Sequence, residues 1–181
     1  MEPVRGLYRS AVGVLIVVVA SVGIITPCPA SESFSTDKPS PLKLANPRHG
    51  RVAHFTGNVE LSGPFLVRWE LVNRQRSYLR VIFFPDDNSA ALLPHAAESG
   101  PVKELLFPDA ERAASILLDP ELARRIFDKE LLSARGEATL TIGDYRTVVD
   151  CDHRWYMAQL ISASKKGQIV VGARENGPFG C

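Results

Sequence analysis

Alternating apolar and polar residues over positions 136–163 constrain the fold of this chain more than any other feature. Apolar side chains occupy the even positions from 138 to 142, and a longer alternating run covers residues 154–163. A period of two residues is typical of half-buried β-strands. The Gly143-Asp144 pair fits a two-residue hairpin loop, and residues 151–153 fit a second reversal of the chain. The segment therefore predicts consecutive antiparallel strands.

Three further strands are predicted nearer the N-terminus, over residues 51–61, 65–72 and 78–84. Apolar and polar residues alternate along the first two, whereas the third is apolar at nearly every position. The sequence Ser62-Gly63-Pro64 is typical of a turn, and we expect it to separate the first strand from the second. Residues 89–107 show no clear period, so they are interpreted as a long connection with at most one turn of helix.

Residues 109–132 carry a helical pattern between the two groups of strands. Asp109 can cap one helix, and Asp119 followed by Pro120 can begin a second, because Asp is a favoured N-cap and Pro is favoured at the first helical position. Apolar residues recur at helical spacing in both segments. Gly136 fits the C-terminal stop of the second helix.

This order of elements predicts a mainly β (α+β) domain, built as a small antiparallel barrel or meander with a helical insertion. Three strands come before the insertion, and three or four strands follow it. The five-stranded OB barrel also has a helix between its third and fourth strands. An OB-like barrel is therefore one form that the fold can take. The similarity is one of element order, and no motif residue identifies a family.

The first thirty residues have the pattern of a secretory signal peptide. Two arginines precede an uncharged run over residues 11–25, which is shorter than the ~20 residues needed to span a bilayer. Ala30 supplies a small residue before a cleavage site. We therefore expect a signal peptide over 1–30, cleaved after Ala30, and a secreted or periplasmic protein. An uncleaved N-terminal anchor, or a lipid attached to Cys28, is the alternative.

A flexible linker is predicted over residues 31–50, where polar residues and prolines dominate, and a single β-rich domain over residues 51–181. Loss of residues 1–30 removes two arginines and one glutamate from 21 basic and 20 acidic residues, which leaves 19 of each. No overall field then attracts the domain to nucleic acid or to an anionic membrane. We expect contact with a membrane only through an uncleaved N-terminal segment.

Two cysteines remain after the predicted cleavage, Cys151 and Cys181. In an oxidising compartment, an even pair most simply forms one disulfide bond. A closed loop of about 30 residues implies a gain of roughly 3 to 4 kcal/mol on the chain-entropy model. A free thiol pair or a metal pair is the alternative, but two cysteines without C-x-x-C spacing are a poor metal site. We therefore predict the disulfide.

The cluster with the most catalytic character consists of Asp150, Asp152 and His153. Two carboxylates and an imidazole could bind a divalent ion or share a proton. Asp and His are equally common in turns, where they hydrogen-bond to their own backbone. The sequence contains none of the G-x-S-x-G, H-E-x-x-H or P-loop motifs. We predict no metal and no cofactor, and we keep a small metal-dependent hydrolase using these three residues as the alternative function.

A group of basic and aromatic residues on the second and third predicted strands and their loop is the predicted ligand-binding surface. Its members are Arg68, Arg74, Arg76, Tyr78 and Arg80. Arginine and aromatic side chains together suit a polyanion. A solvated outer face, balanced by Glu60 and Glu70, is the alternative.

Large aromatic residues on the predicted strands offer a second way to build a site. Trp69, Trp155 and Tyr156 could line a ligand pocket, although such residues belong more often to a core. The predicted function is non-catalytic binding of a partner protein or of a polyanion of the cell envelope. Nucleic acid is the least expected ligand outside the cytosol.

Overall fold

The structure is a computed structural model that describes residues 33–45, 51–72, 76–150, 153–164 and 166–172. Strands make up 52% of it and helices 16%, which confirms the mainly β fold class. The elements in chain order are β1 (Phe34–Ser35), β2 (Lys43–Leu44), β3 (Val52–Thr56), β4 (Val59–Val72), β5 (Arg76–Phe83), α1 (Asp87–Ala90), β6 (His95–Ala96), β7 (Leu105–Leu106), α2 (Ala110–Leu117), α3 (Pro120–Phe127), β8 (Ser133–Asp150), β9 (His153–Ser164) and β10 (Val170–Gly172). Among the described residues, no helix is long and apolar enough to cross a membrane.

Five strands close into a barrel in the order β4, β5, β7, β9 and β8, with β8 returning to β4. Leu106 of β7 pairs with Met157 of β9 in parallel, and the other pairings in the ring are antiparallel. Helices α2 and α3 lie between β7 and β8, the third and fourth strands of the barrel. This confirms the predicted small barrel, OB-like in its element order, with one parallel pairing that makes it mixed rather than wholly antiparallel.

The turn predicted at Ser62-Gly63-Pro64 is wrong, because β4 runs through it without a break. Gly63 has φ +155°, and a Cβ atom there would collide with the carbonyl oxygen of Phe84. The glycine therefore permits β4 to lie directly against the chain that leaves β5. Two main-chain hydrogen bonds of 2.9 Å join these segments on either side of Gly63. The glycine at position 63 is therefore explained by the close packing of two chain segments rather than by a chain reversal.

The hairpin predicted at Gly143-Asp144 is also wrong, because β8 continues from Ser133 to Asp150. Gly143 pairs with Gln159 and Arg146 pairs with Met157, so the ladder between β8 and β9 is irregular between these pairs. Asp144 has φ +46°, a left-handed conformation that is uncommon outside glycine. The two residues therefore form a β-bulge, which increases the bend of a strand without reversing it.

Both predicted helices form, and each begins at its expected cap. The Asp109 side chain accepts a hydrogen bond from the Arg112 amide at 3.2 Å, and Asp119 accepts one from the Leu122 amide at 2.9 Å. Gly136 does not stop the second helix, since α3 ends at Phe127. Gly136 instead lies within β8 opposite Phe65, where a Cβ atom would be 3.1 Å from the Phe65 ring.

Two segments predicted to be connections contain strands. Residues 33–45, within the predicted linker 31–50, supply β1 and β2, which pair with β6 and β3. Leu42 is buried, and the Phe34 ring packs edge-on against Phe55 at 5.3 Å between centroids. The segment 89–107 likewise contains β6 and the third barrel strand β7, which at two residues is too short to show a period. These segments belong to the packed domain.

The barrel encloses an aliphatic and aromatic core, in which Tyr145, Phe65 and Phe83 are the largest fully buried side chains. The Tyr145 hydroxyl donates a 2.7 Å hydrogen bond to the carbonyl oxygen of Pro94. Burial raises the pKa of Tyr145 well above its ordinary value, because the phenolate would lose its hydration. Tyr145 is therefore a neutral structural residue that ties β8 to the segment before β6.

Candidate binding face

Three of the predicted ligand-binding residues meet on the outer side of the β4–β5 pair. In the register of these strands, Arg68 lies opposite Arg80, and Glu70 lies opposite Tyr78. Side chains two residues apart on a strand share a face, so all four point to the same side. We call this group, Arg68, Tyr78 and Arg80 around Glu70, the arginine face.

Glu70 is the centre of the arginine face. Its carboxylate accepts a 2.9 Å hydrogen bond from Arg68 Nε and a 3.0 Å bond from Arg80 Nη1, and the Tyr78 hydroxyl donates to the same group. Burial alone would raise the pKa of Glu70, but the hydrogen bonds from Tyr78, Arg68 and Arg80 together hold that pKa below its ordinary value. The carboxylate is therefore charged at neutral pH.

The arginine face carries an excess of positive charge that remains accessible to solvent. Arg68 and Arg80 contribute two positive charges and Glu70 one negative charge, which leaves one in excess. Tyr78 is 42% exposed. Its hydrogen bond to Glu70 raises the pKa of Tyr78, so the phenol stays neutral. Glu70 therefore neutralises part of the positive charge of the arginine face, but one positive charge remains.

Two of the predicted residues cannot be placed with the others. Arg74 lies outside the described residues. Arg76 is the first residue of β5 and pairs with Val72, but the described part of the chain does not include its side chain. The site therefore rests on Arg68, Tyr78 and Arg80.

Trp155 extends the arginine face toward β9. The Arg80 guanidinium carbon lies 5.7 Å from the centroid of the Trp155 ring, within the range of a cation–π contact. On β9, the His153 and Trp155 rings are 5.0 Å apart and tilted by 42°. A continuous path of cationic and aromatic groups therefore joins β5 to β9.

A groove of about 400 Å³ adjoins this path, between residues 99–106 and the start of β9, and we call it the Trp155 groove. Lys103 and Glu104 line one side, and residues 153–156 line the other. Arg154, within the second set, donates a 3.1 Å ion-pair hydrogen bond to Glu98. The groove is mixed in charge and has an aromatic wall, so it suits a ligand with both polar and planar groups.

The three aromatic residues considered for a pocket separate into two roles. Trp155 lines the groove. Tyr156 borders it as well, but its ring stacks on the buried Tyr145 at 6.4 Å between centroids and packs against the core. Trp69 does not line the groove: its indole donates a 2.7 Å hydrogen bond to the carbonyl oxygen of Ile126, and Lys129 Nζ lies 4.5 Å from its ring. Trp69 therefore joins the barrel to the end of α3.

The Asp150, Asp152 and His153 cluster is only partly described. Asp150 and His153 pair directly across the β8–β9 connection. Asp152 lies outside the described residues, so the three-residue arrangement stays a hypothesis. Among the residues that the structure describes, no three His, Cys, Asp or Glu side chains are grouped as a metal site would require.

The predicted disulfide falls on residues that the structure does not describe. Cys151 and Cys181 both lie outside the described ranges, as does Cys28. The same holds for residues 1–30 of the predicted signal peptide. These interpretations stay predictions.

Sequence reasoning missed one wall of the groove and the neighbour of Arg80. Residues 99–106 show no period, and nothing local indicates that they face β9. Arg80 and Trp155 are 75 positions apart in the chain, so only barrel closure brings them together. The available signal was the alternation in β9, which places His153 and Trp155 on one face.

The chain was compared with family models, with curated proteins and with solved structures, and none of the three comparisons found a match.

Proposed function

We propose that this chain is a secreted or periplasmic, non-catalytic domain that binds an anionic partner, either an acidic protein or a polyanion of the cell envelope. The ligand lies across the arginine face and enters the Trp155 groove. The observation that carries the proposal is the contact between Arg80 and Trp155, at 5.7 Å. It joins the excess positive charge to an aromatic surface beside a groove of ligand size.

The chemistry of this surface favours an anion with planar or ring-shaped parts. Guanidinium groups form directed, charge-assisted hydrogen bonds to carboxylate, sulfate and phosphate oxygens. Aromatic faces offer stacking area at small cost in side-chain entropy. Arg68 and Arg80 are held in position by Glu70, so they lose little further freedom when a ligand binds. Preorganisation of this kind supports binding rather than a purely solvated surface.

The position of the surface within the barrel agrees with this proposal. In OB barrels, oligosaccharides and oligonucleotides bind on the face of strands 2 and 3. The corresponding strands here are β5, which carries Tyr78 and Arg80, and β7, which borders the groove at Leu106. Since one fold supports many functions, the side chains carry the argument and the fold adds to it.

Retention on immobilised heparin tests the proposal, because heparin presents dense sulfate and carboxylate groups. We expect Arg80→Gln and Trp155→Ala to elute at lower salt than the unmodified domain. Arg80→Lys keeps the charge and should retain most of the binding. Lys43→Gln is the matched control, because it removes one positive charge from an exposed residue of β2, which pairs with β3 outside the barrel ring.

Circular dichroism must first show that each variant is folded. Equal elution of folded Arg80→Gln, Trp155→Ala and Lys43→Gln would overturn the polyanion form of the proposal. Loss of retention in Lys43→Gln alone would also overturn it, because the binding surface would then lie away from the arginine face.

A further inference from the structure

A second cavity, of about 170 Å³, lies between the start of α2, the bulge of β8 and the middle of β9. We call it the bulge cavity. Phe107, Ala113 and Leu160 give it an apolar lining, and charged side chains come from α2 and from the bulge. It has no lining residue in common with the Trp155 groove. Any ligand there would be separate from the partner proposed above.

The carboxylates around the bulge cavity already have partners within the protein. Asp144 accepts a 2.7 Å ion-pair hydrogen bond from Arg146 Nη2, and His54 Nδ1 lies 4.0 Å from its other oxygen. Asp109 accepts from the Arg112 amide as the cap of α2. The acidic groups are therefore engaged in holding the bulge and the helix start.

The two guanidinium groups retain donors without partners. Arg146 Nε is buried and has no hydrogen-bond partner among the described residues. Within that same part of the chain, no hydrogen bond or ion pair engages the Arg112 side chain, whereas its main-chain amide donates to Asp109. A buried donor without an acceptor costs about 1–3 kcal/mol, so an acceptor that reaches this site is favoured.

The shape of the β8 wall supports a built site rather than a random surface gap. The irregular ladder beside Gly143 turns Asp144 outward with φ +46°, while Tyr145 enters the core. Bulges of this kind redirect side chains and occur often beside functional sites. Here the bulge places Asp144 and Arg146 on the cavity rim, opposite Arg112.

We propose that the bulge cavity binds one small oxyanion, a carboxylate or phosphate group, between Arg112 and Arg146. Gln159 also lines the cavity and can donate through its side-chain amide. A volume of about 170 Å³ is well above the ~10–15 Å³ that one water molecule needs, so the cavity accepts a small anion or a terminal group. A long polymer does not fit.

Amide NMR titration of the ¹⁵N-labelled domain with sodium phosphate, and separately with sodium acetate at matched ionic strength, tests this proposal. We expect saturable shifts at the amides of Asp144 and Gln159 with at least one of the two anions. Which anion saturates assigns the phosphate or the carboxylate chemistry. Arg112→Gln should weaken that binding by roughly tenfold, the usual size of one charge-assisted hydrogen bond.

Arg146→Gln removes the ion pair with Asp144 and can therefore disturb the bulge itself. Arg146→Lys controls for this effect, because it retains the positive charge near Asp144. It should bind more weakly than the unmodified domain but more strongly than Arg146→Gln. Arg135→Gln is the matched control and should bind unchanged. Absence of saturable shifts with both anions would overturn the proposal. An equal loss in Arg112→Gln and Arg135→Gln would also overturn it, because it would indicate adventitious binding at the surface only.

Discussion

Replacing Glu70 by Gln should strengthen binding to a polyanion and weaken the fold at the same time. The carboxylate is the only acidic group of the arginine face, and it receives hydrogen bonds from Arg68, Tyr78 and Arg80. Gln is nearly the same size and can still accept hydrogen bonds, but it carries no charge. The substitution therefore separates the electrostatic role of Glu70 from its shape.

The expected magnitude of each effect follows from the charges. Removing the carboxylate raises the excess positive charge of the face from one to two. One added charge about 6 Å from a ligand anion contributes ~1 kcal/mol at an effective dielectric constant near 60, or about fivefold in affinity. The loss of charge-assisted hydrogen bonds should lower the free energy of unfolding by about 1–2 kcal/mol. Glu70 is only 17% exposed, so solvent screens this loss only in part.

Both effects can be measured on one preparation. The salt concentration at which the protein elutes from heparin reports its binding, and the midpoint of its denaturation reports its stability. Glu60→Gln is the control, because Glu60 is an exposed glutamate on the same strand and the substitution changes the net charge equally. We expect Glu70→Gln to elute at higher salt than Glu60→Gln and to unfold at a lower denaturant concentration. Equal elution of the two folded variants would show that Glu70 does not limit the positive charge of the arginine face.

The same carboxylate determines a pH dependence. The pKa of Glu70 is lower in the folded chain than its ordinary value of 4.5, so its contribution to stability is present above that value. The contribution is lost as the pH falls through the folded pKa. Over that interval wild type becomes protonated at Glu70, and its heparin elution should approach that of Glu70→Gln. If wild type and Glu70→Gln still differ by the same elution salt when Glu70 is fully protonated, the pH dependence does not come from Glu70.

Three further predictions concern the barrel and its covalent links. Gly63→Ala should lower the free energy of unfolding by about 2 kcal/mol or more, measured by urea denaturation, because the new methyl group meets a main-chain oxygen; an unchanged midpoint would contradict the close approach. Tyr145→Phe should cost about 1 kcal/mol through loss of the hydrogen bond to Pro94, and a neutral effect would show that this bond contributes nothing. Thiol labelling of the purified protein under denaturing, non-reducing conditions should modify neither Cys151 nor Cys181; labelling of both would exclude the disulfide.

The helices and most of the strands could be predicted because their signals are local. Asp109 and Asp119 cap their helices with their own side chains, so the information lies within three residues of each start. The alternation over 154–163 likewise reflects burial of one face of a single strand, β9. Such patterns do not depend on which other strand lies alongside.

The errors have a common cause in long-range packing. Gly63 and the Gly143-Asp144 pair have the composition of turns, yet both lie inside continuous strands. Their small size or left-handed conformation serves a close approach or a bulge, which depends on segments distant in the chain. The third barrel strand, Leu105–Leu106, is defined only by its neighbours β5 and β9. Its two residues contain no period of their own.

The sequence alone determined the fold class, the position of the helical insertion and the identity of three residues in the arginine face, because alternation, capping and charge are properties of short segments. Tertiary structure alone decided that the barrel closes through a parallel pairing and that Glu70 restrains two of the arginines. It also placed Arg80 against Trp155. These features require strands far apart in the chain to meet in one register. That register is selected by the packing of the whole core rather than by any local pattern.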